Sequence, residues 1–229
     1  MYFMEERNDF HIGELVLYKN NQLIAFNKPA GVPVQSDKTS VTPLFNMGAA
    51  YCKHPVYVIH RIDMPATGVV LFAKNKQALA HLNNQFKERT TEKQYLVVVG
   101  TMPPAEEGTL THYLKKDGRK NKAFAFDEPT DGAKKAELSY RWIESIERYH
   151  LLEVTLHTGR FHQIRAQLAA IGCPIKGDVK YGFRRKNADR SIHLHHWKLS
   201  FDHPVSGERE LVTAPVPEDT VWQAFEQVW

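Results

Sequence analysis

A chain of 229 residues, 42% hydrophobic and 24% charged, has the balance of a soluble globular protein and the mass for a sizeable core, as one domain or two small ones. No apolar run approaches the ~20 residues a membrane-spanning helix needs. The charged start MYFMEERNDF is no signal peptide, and two cysteines, Cys52 and Cys173, give neither a disulfide framework nor an all-cysteine metal site. A cytoplasmic location is expected. The formal charge of +4 permits a polyanionic partner without demanding one.

Residues 1–14 read as an extension or edge element. Leu15–Tyr18 and Leu23–Phe26, separated by the turn Lys19–Gln22, predict a hairpin. Asn27 to Val34, with two prolines and a glycine, predicts a stiff irregular loop. Lys28 in that loop either meets an anion or is a solvated turn lysine. The next stretch carries Ser36, Asp37, Thr39 and Ser40, and a short helix is expected from Leu44 to Cys52. Cys52 and His54 supply only two ligands, so no metal site is expected there.

Val56–Ile59 leads into His60-Arg61-Ile62-Asp63-Met64-Pro65-Ala66-Thr67-Gly68, followed by the apolar run Val69–Phe72. Pro65 argues against a central strand across the stretch, and Gly68 suits a tight bend. A charged loop feeding a buried strand is expected. Polar residues so placed are held by the core yet reach solvent. An Arg61–Asp63 ion pair in a surface turn is the plain alternative.

From Lys76 to Arg89, Leu79, Leu82 and Phe86 recur at helical spacing. Glu92 to Gly100 reads as a strand, with Tyr95 at its polar-to-apolar boundary, either a sheet aromatic or a functional one. Residues 101–135 look least regular, though Leu110, His112 and Leu114 suggest a short alternating strand. Lys115, Lys116, Arg119, Lys120 and Lys122 cluster around Gly118, with Phe124 and Phe126 after them. Basic residues beside aromatics can follow a nucleic-acid backbone and stack on a base, or simply form a solvated hairpin.

Ala136–Trp142 and Leu152–Leu156 alternate as half-buried strands. A helix is expected from about Arg160, with Phe161, Ile164, Leu168 and Ile171 on one face, Gly172 as its cap and Pro174 as its stop. Arg165 lies at the edge of that stripe, where its head can reach a cleft. Residues 174–183 read as a glycine-punctuated surface segment, followed by the basic residues Arg184, Arg185, Lys186 and Arg190. A strand should then carry His195, Trp197, Leu199 and Phe201 on one face. His193 and His195 read as structural or RNA-facing, not as metal ligands. A hairpin turn follows Phe201, and a short last helix should pack Val221, Trp222, Phe225, Val228 and Trp229. The coarse class is α+β.

Five stretches taken together resemble the RluA-type pseudouridine synthases. They are NKPAG at 27–31, HRIDMPATG at 60–68, KQYLVVVG at 93–100, LHTGRFHQIRAQLAAIGCPIKGDVKYG at 156–182 and LHHWKLSFDHPVSGE at 194–208. Their order and spacing match from about residue 15 to 217. The family's central motif usually ends Thr-Ser-Gly where this chain has Ala66-Thr67-Gly68, and leucine is usual in place of Ile62. No S4-like domain is expected before residue 15, so the expected likeness is to compact members: one catalytic domain over residues 1–229, with 1–14 as extension.

The resemblance implies a mixed, mainly antiparallel sheet in two halves with flanking helices and a central RNA cleft. It implies uridine isomerisation in tRNA, rRNA or both, without metal or other cofactor, by a monomer needing no protein partner. It makes Asp63 the catalytic carboxylate, sets Tyr95 against the target base and pairs Arg165 with Asp63. Arg61 would enter the RNA stack, and His60 would support the loop. A non-catalytic RNA-binding module would explain the basic clusters but not the separated Asp63, Tyr95 and Arg165 motifs.

Overall fold

The computed structural model of the chain describes residues 10–36 and 40–228. Residues 1–9 of the expected extension, Asp37 and Thr39, the side chain of Val228 and the expected packing residue Trp229 lie outside the described residues.

The first hairpin forms as its pattern predicts, from β1 (Val16–Lys19) and β2 (Leu23–Lys28). α1 (Leu44–Cys52) and the two-residue β3 (Tyr57–Val58) follow. β4 (Thr67–Ala73) is buried at every residue, because both of its faces are covered. Val70 and Phe72 pack with Phe26 and with Leu44 of α1. Val69 and Leu71 pack with Leu82 of α2 (Lys76–Glu88). Asn75 caps α2 through a side-chain bond from the Ala78 N–H, and Arg89 ends it in left-handed backbone.

The second half holds β5 (Glu92–Val99), β6 (Glu107–Asp117), β7 (Lys122–Phe126), β8 (Lys134–Ile146) and β9 (Tyr149–Leu156). α3 (Gln163–Ala170), β10 (Leu194–Asp202), β11 (Arg209–Thr213) and α4 (Thr220–Gln223) complete it. The eleven strands form one sheet in the order β1-β2-β4-β10-β5-β9-β8-β6-β7, with β3 added to β4 and β11 to β10. Ile164 and Leu168 of α3 pack on Val97, Val99 and Val154. Trp222 of α4 and Phe225 pack with Leu96, Val98 and Leu151. The fold is α+β and mainly antiparallel; among the described strands only β4 and β10 pair in parallel.

That parallel contact joins the halves and is only two residue pairs long, His195↔Thr67 and His196↔Gly68. From Lys198 onward β11 takes the place of β4 beside β10. The sheet therefore forks just where the 60–66 loop enters β4. Gly68 lies inside the strand, not in the bend its sequence suggested. Its φ is +109°, and a Cβ there would run into the His196 backbone.

Other expectations change too. The short strand expected at Leu110–Leu114 is the middle of β6, which forms a long hairpin with β7, so residues 101–135 are more regular than their composition suggested. The 174–183 segment is not a surface run: Ile175, Asp178 and Tyr181 are buried. The register between β10 and β5 shifts between His196 and Lys198. Leu199 and Phe201 consequently join the α2 side of the core instead of sharing a face with His195.

Candidate active site

The fork is stabilised by side chains that carry the loop. Lys28, fully buried at the end of β2, donates to the carbonyls of Pro29 (2.8 Å), Val32 (2.9 Å) and Met64 (3.0 Å). It is neither a solvated lysine nor exposed to an incoming anion. Burial lowers its pKa to about 7, opposed by the charge of Asp63. Three acceptors need three N–H groups, which only the ammonium provides. Gly31 N–H also reaches the Met64 carbonyl (2.9 Å), and Ile192 N–H reaches that of Pro65 (3.0 Å). The two residues that follow Asp63 are thus both held by backbone bonds.

His60 Nε2 accepts from the Leu71 N–H at 3.0 Å, so that nitrogen carries no proton. Burial, and then the nearby charge of Lys93, brings its pKa down to about 3. The ring stacks on Phe86 and meets His196 edge-on. His196 in turn stacks under Tyr95, with centroids 4.5 Å apart. Its Nδ1 donates to the Val69 carbonyl at 2.7 Å, while its buried Nε2 has no hydrogen-bond partner. Burial, reinforced by the charge of Asp63, raises the pKa of Tyr95. Its phenol therefore stays protonated, as a donor.

Asp63 Oδ2 accepts from Arg165 Nη1 at 3.0 Å, across 102 positions of sequence. The guanidinium is held on its other edge by Asp178: Nε bonds Oδ2 at 2.7 Å and Nη2 bonds Oδ1 at 2.9 Å. The Tyr181 ring lies 5.0 Å from its centre. Burial by itself would lower the Arg165 pKa, but the Asp178 hydrogen bonds and the charges of Asp63 and Asp178 outweigh it and raise the pKa. Arg165 is a permanent cation whose one remaining direction points at Asp63. The Asp63 side chain keeps 22% of its surface exposed against 5% for Arg165, so the carboxylate reaches solvent and the arginine backs it.

His162 completes the group. It sits in left-handed backbone before α3, with Nε2 3.8 Å from Asp63 Oδ2 and Nδ1 3.0 Å from the Tyr181 hydroxyl. That hydroxyl accepts the Ala123 N–H at 2.7 Å. Burial lowers the His162 pKa to about 4 against the pull of Asp63, leaving the imidazole neutral near pH 7.

Sequence reasoning missed His162, Asp178 and Tyr181. The stretch GDVKYG held two of them, but a carboxylate between glycines reads as a turn residue. Asp63 pairs with Arg165, not with Arg61, which is exposed. Lys116 places its ammonium 4.4 Å from the Phe161 ring, and Phe161 stacks on His162. That arrangement brings one lysine of the basic hairpin close to the site. Lys115 donates to the Asp131 carbonyl, and Arg184 and Arg185 are exposed. Among the described residues no group of three or more histidine, cysteine or acidic side chains is placed to hold a metal.

Residues 22–170 match the RNA pseudouridylate synthase family. The chain belongs to that family. It is 32% identical over 213 residues to the uncharacterised RNA pseudouridine synthase YlyB of Bacillus subtilis, covering 89% of this chain and 69% of that protein. To tRNA pseudouridine synthase C of Haemophilus ducreyi it is 31% identical over 229 residues, covering 91% and 92%. The fold is also that of human RNA pseudouridylate synthase domain containing 4, with a TM-score of 0.75 at 23% identity, covering 95% of this chain and 94% of that one. As an RNA pseudouridine synthase the chain is an isomerase. No helix among its described residues is long and apolar enough to cross a membrane.

Proposed function

We propose that this synthase is a compact RluA-type enzyme that converts uridines of tRNA or rRNA to pseudouridine, with Asp63 as its catalytic carboxylate. The observation that carries the assignment is the Asp63–Arg165 pair at 3.0 Å, its arginine fixed from behind by Asp178. A carboxylate so held is both exposed to the cleft and set in direction.

The reaction breaks the N1–C1′ bond, turns the uracil and forms a C5–C1′ bond; C5 loses a proton and N1 gains one. Asp63 serves as an ionised carboxylate whether it adds to C1′, adds to C6, or takes the C2′ proton. Tyr95, stacked on His196, offers a rigid face for the base and a protonated hydroxyl for a proton relay. A paired base must first leave its stack, at a cost of a few kcal/mol. Arg61, exposed two residues before Asp63, is the side chain to fill the gap. Lys116, beside the site, and the exposed Lys115, Arg184 and Arg185 position the RNA through its phosphates. We take the enzyme to act as a monomer in the cytoplasm; a stable dimer in sedimentation would overturn the first point.

The test uses uridine-labelled tRNA and rRNA transcripts, without added metal or nucleotide, followed by nucleoside analysis. Wild type should form pseudouridine, and D63N should keep its fold and much of its RNA affinity while forming none. Near-normal turnover by folded D63N sinks the role of Asp63. Binding without conversion by wild type favours an RNA-binding module.

A further inference from the structure

At the end of α2, Arg89 turns the chain through left-handed backbone (φ 61°) into Thr90, Thr91 and β5. These residues, with Lys93, Thr155 and His157, line a cavity of about 370 Å³. Lys93 and Tyr95 are two residues apart on a strand, so they share a face. The register of β5 against β9 is unbroken from Gln94 to Val99. Lys93 therefore lies about 6–7 Å along β5 from Tyr95 on the same face, while Thr155 of the cavity pairs with Gln94 and lies on the other.

Lys93 is only 7% exposed. Among the described residues its ammonium has no carboxylate and no hydrogen-bond acceptor; its contact is the Phe86 ring at 5.6 Å. A charge withdrawn from water without a counter-ion is costly. The nearest charges sharpen the point. Arg89 adds a second cation, and burial together with Arg89 lowers the Lys93 pKa. Glu137 also lines the cavity, but its carboxylate is bonded to Lys135 at 2.9 Å. Glu92 lines the cavity too, but it is exposed and strand alternation directs it away from the Lys93 face. His157 is engaged by Ser139. Thr91, 6% exposed, has a buried hydroxyl with no partner. The Thr91 hydroxyl is thus left unsatisfied and the Lys93 ammonium without an acceptor among the described residues, with Lys93 one step along β5 from the tyrosine proposed to meet the target base.

We propose that Lys93 and Arg89 hold a backbone phosphate of the substrate RNA beside the uridine at Tyr95. This rests on the reading of the cleft as an RNA site. The phosphate supplies the missing anion, and in doing so fixes the register of the strand, so that the uridine and no neighbour meets Tyr95 and Asp63. Phosphate contacts carry this positioning role generally. The basic hairpin is a different surface, and its Lys115, Lys116 and Lys120 are exposed where Lys93 is buried.

The experiment compares wild type with K93M, which keeps the stem over Phe86, and K93R, which keeps the charge. The probe is the tRNA or rRNA transcript that wild type converts. Affinity is measured from 50 to 500 mM KCl, and single-turnover rate at saturating RNA. K93M should bind about tenfold or more weakly. Its log-affinity against log-salt slope should be shallower by about 0.7–0.9, one phosphate's worth. K93R should recover most of both. R89Q should flatten the slope as well, and adding it to K93M should cost less than its effect alone, because both serve one phosphate. An unchanged slope in folded K93M overturns the proposal, whether or not affinity falls, since packing alone does not move the slope. A saturating rate lost with affinity and slope intact also overturns it, placing Lys93 in the chemistry. Should K93M fail to fold, R89Q decides by the same slope. If wild type converts neither RNA, the functional reading has failed, and this proposal with it.

Discussion

Replacing Asp178 by asparagine tests whether Arg165 is aimed by its surroundings. The Asp178 side chain is 1% exposed and accepts two hydrogen bonds from a guanidinium that is 5% exposed. Asparagine has nearly the same shape, but only one of its two terminal atoms accepts. Its amide would face an Arg165 N–H, donor against donor. The arginine would keep one neutral bond and lose its buried counter-charge. Breaking a buried pair by removing one partner costs about 3–5 kcal/mol; with one bond kept, D178N should lie near the lower end. That is a large share of the ~5–15 kcal/mol that holds a domain together, yet it leaves folded protein to assay. Loss of aim should also slow chemistry, because a displacement of about 1 Å can cost about 10²-fold. Urea unfolding reads the first effect, and single-turnover conversion at saturating RNA, below the melting range, reads the second. A D178N protein within ~0.5 kcal/mol of wild type and equally fast would refute both parts. Lost stability with an unchanged rate would leave Asp178 a fold staple that does not position the site.

Lys28→Met should strand the carbonyls of Pro29, Val32 and Met64 at about 1–3 kcal/mol each, lowering both urea stability and turnover; unchanged turnover in folded K28M would detach this clamp from the site. Gly68→Ala should cost more than ~3 kcal/mol, since it adds strained backbone to a collision with the His196 backbone; a melting curve like that of wild type would contradict the close approach of β4 and β10. Stability should also fall in acid. His195 is neutral in the fold because burial lowers its pKa to about 4, whereas in the unfolded chain it titrates near 6.5. The unfolded state then binds the extra proton, so the contribution is intact above about pH 6.5 and is lost as pH drops toward 4, by about 3 kcal/mol. H195Q should make the fall between pH 7 and 4.5 shallower, and an identical pH dependence would show that this histidine is not the group being charged.

The sequence carried the elements wherever a single face met the core. α1 spans Leu44–Cys52, where a short helix was expected, and the apolar run after Gly68 lies in the buried β4. It showed only the middle of β6, Leu110 to Leu114, because the first half of the strand alternates between exposed and half-buried residues; a strand extending past the core leaves little hydrophobic periodicity to read. It also hid the register shift in β10, because one inserted residue changes which face Leu199 and Phe201 occupy without changing their composition. In the site, Asp63 and Arg165 were legible only as motifs, for nothing in local patterning connects residues 102 positions apart. Asp178 was not legible even so. Its role depends on a buried loop returning beneath α3, and only the three-dimensional path shows that the loop is buried.

The site lies where it does because the fork leaves the sheet little backbone pairing to hold it together. With two residue pairs between β4 and β10, side chains must supply the rest. Thr67 Oγ1 lies 2.8 Å from His195 Nδ1, while His195 Nε2 lies 3.2 Å from the Ala214 carbonyl. A carbonyl only accepts, so Nε2 carries the proton and the threonine hydroxyl donates to Nδ1. The neutral tautomer of His195 is thereby fixed, and β4, β10 and the segment after β11 are joined through one ring. This gives the departure from the usual Thr-Ser-Gly ending a physical meaning. The hydroxyl at position 67 is engaged in the joint. Position 66 is 1% exposed and packs in the cluster of Tyr95, Leu194 and Ile192, where a hydroxyl would need a partner of its own. Alanine there removes that demand and keeps the wall behind Tyr95 apolar. The same apolar wall helps to keep the Tyr95 phenol protonated beside a carboxylate. The substitution that looks like a weakened motif is therefore consistent with the proton state that the proposed chemistry needs.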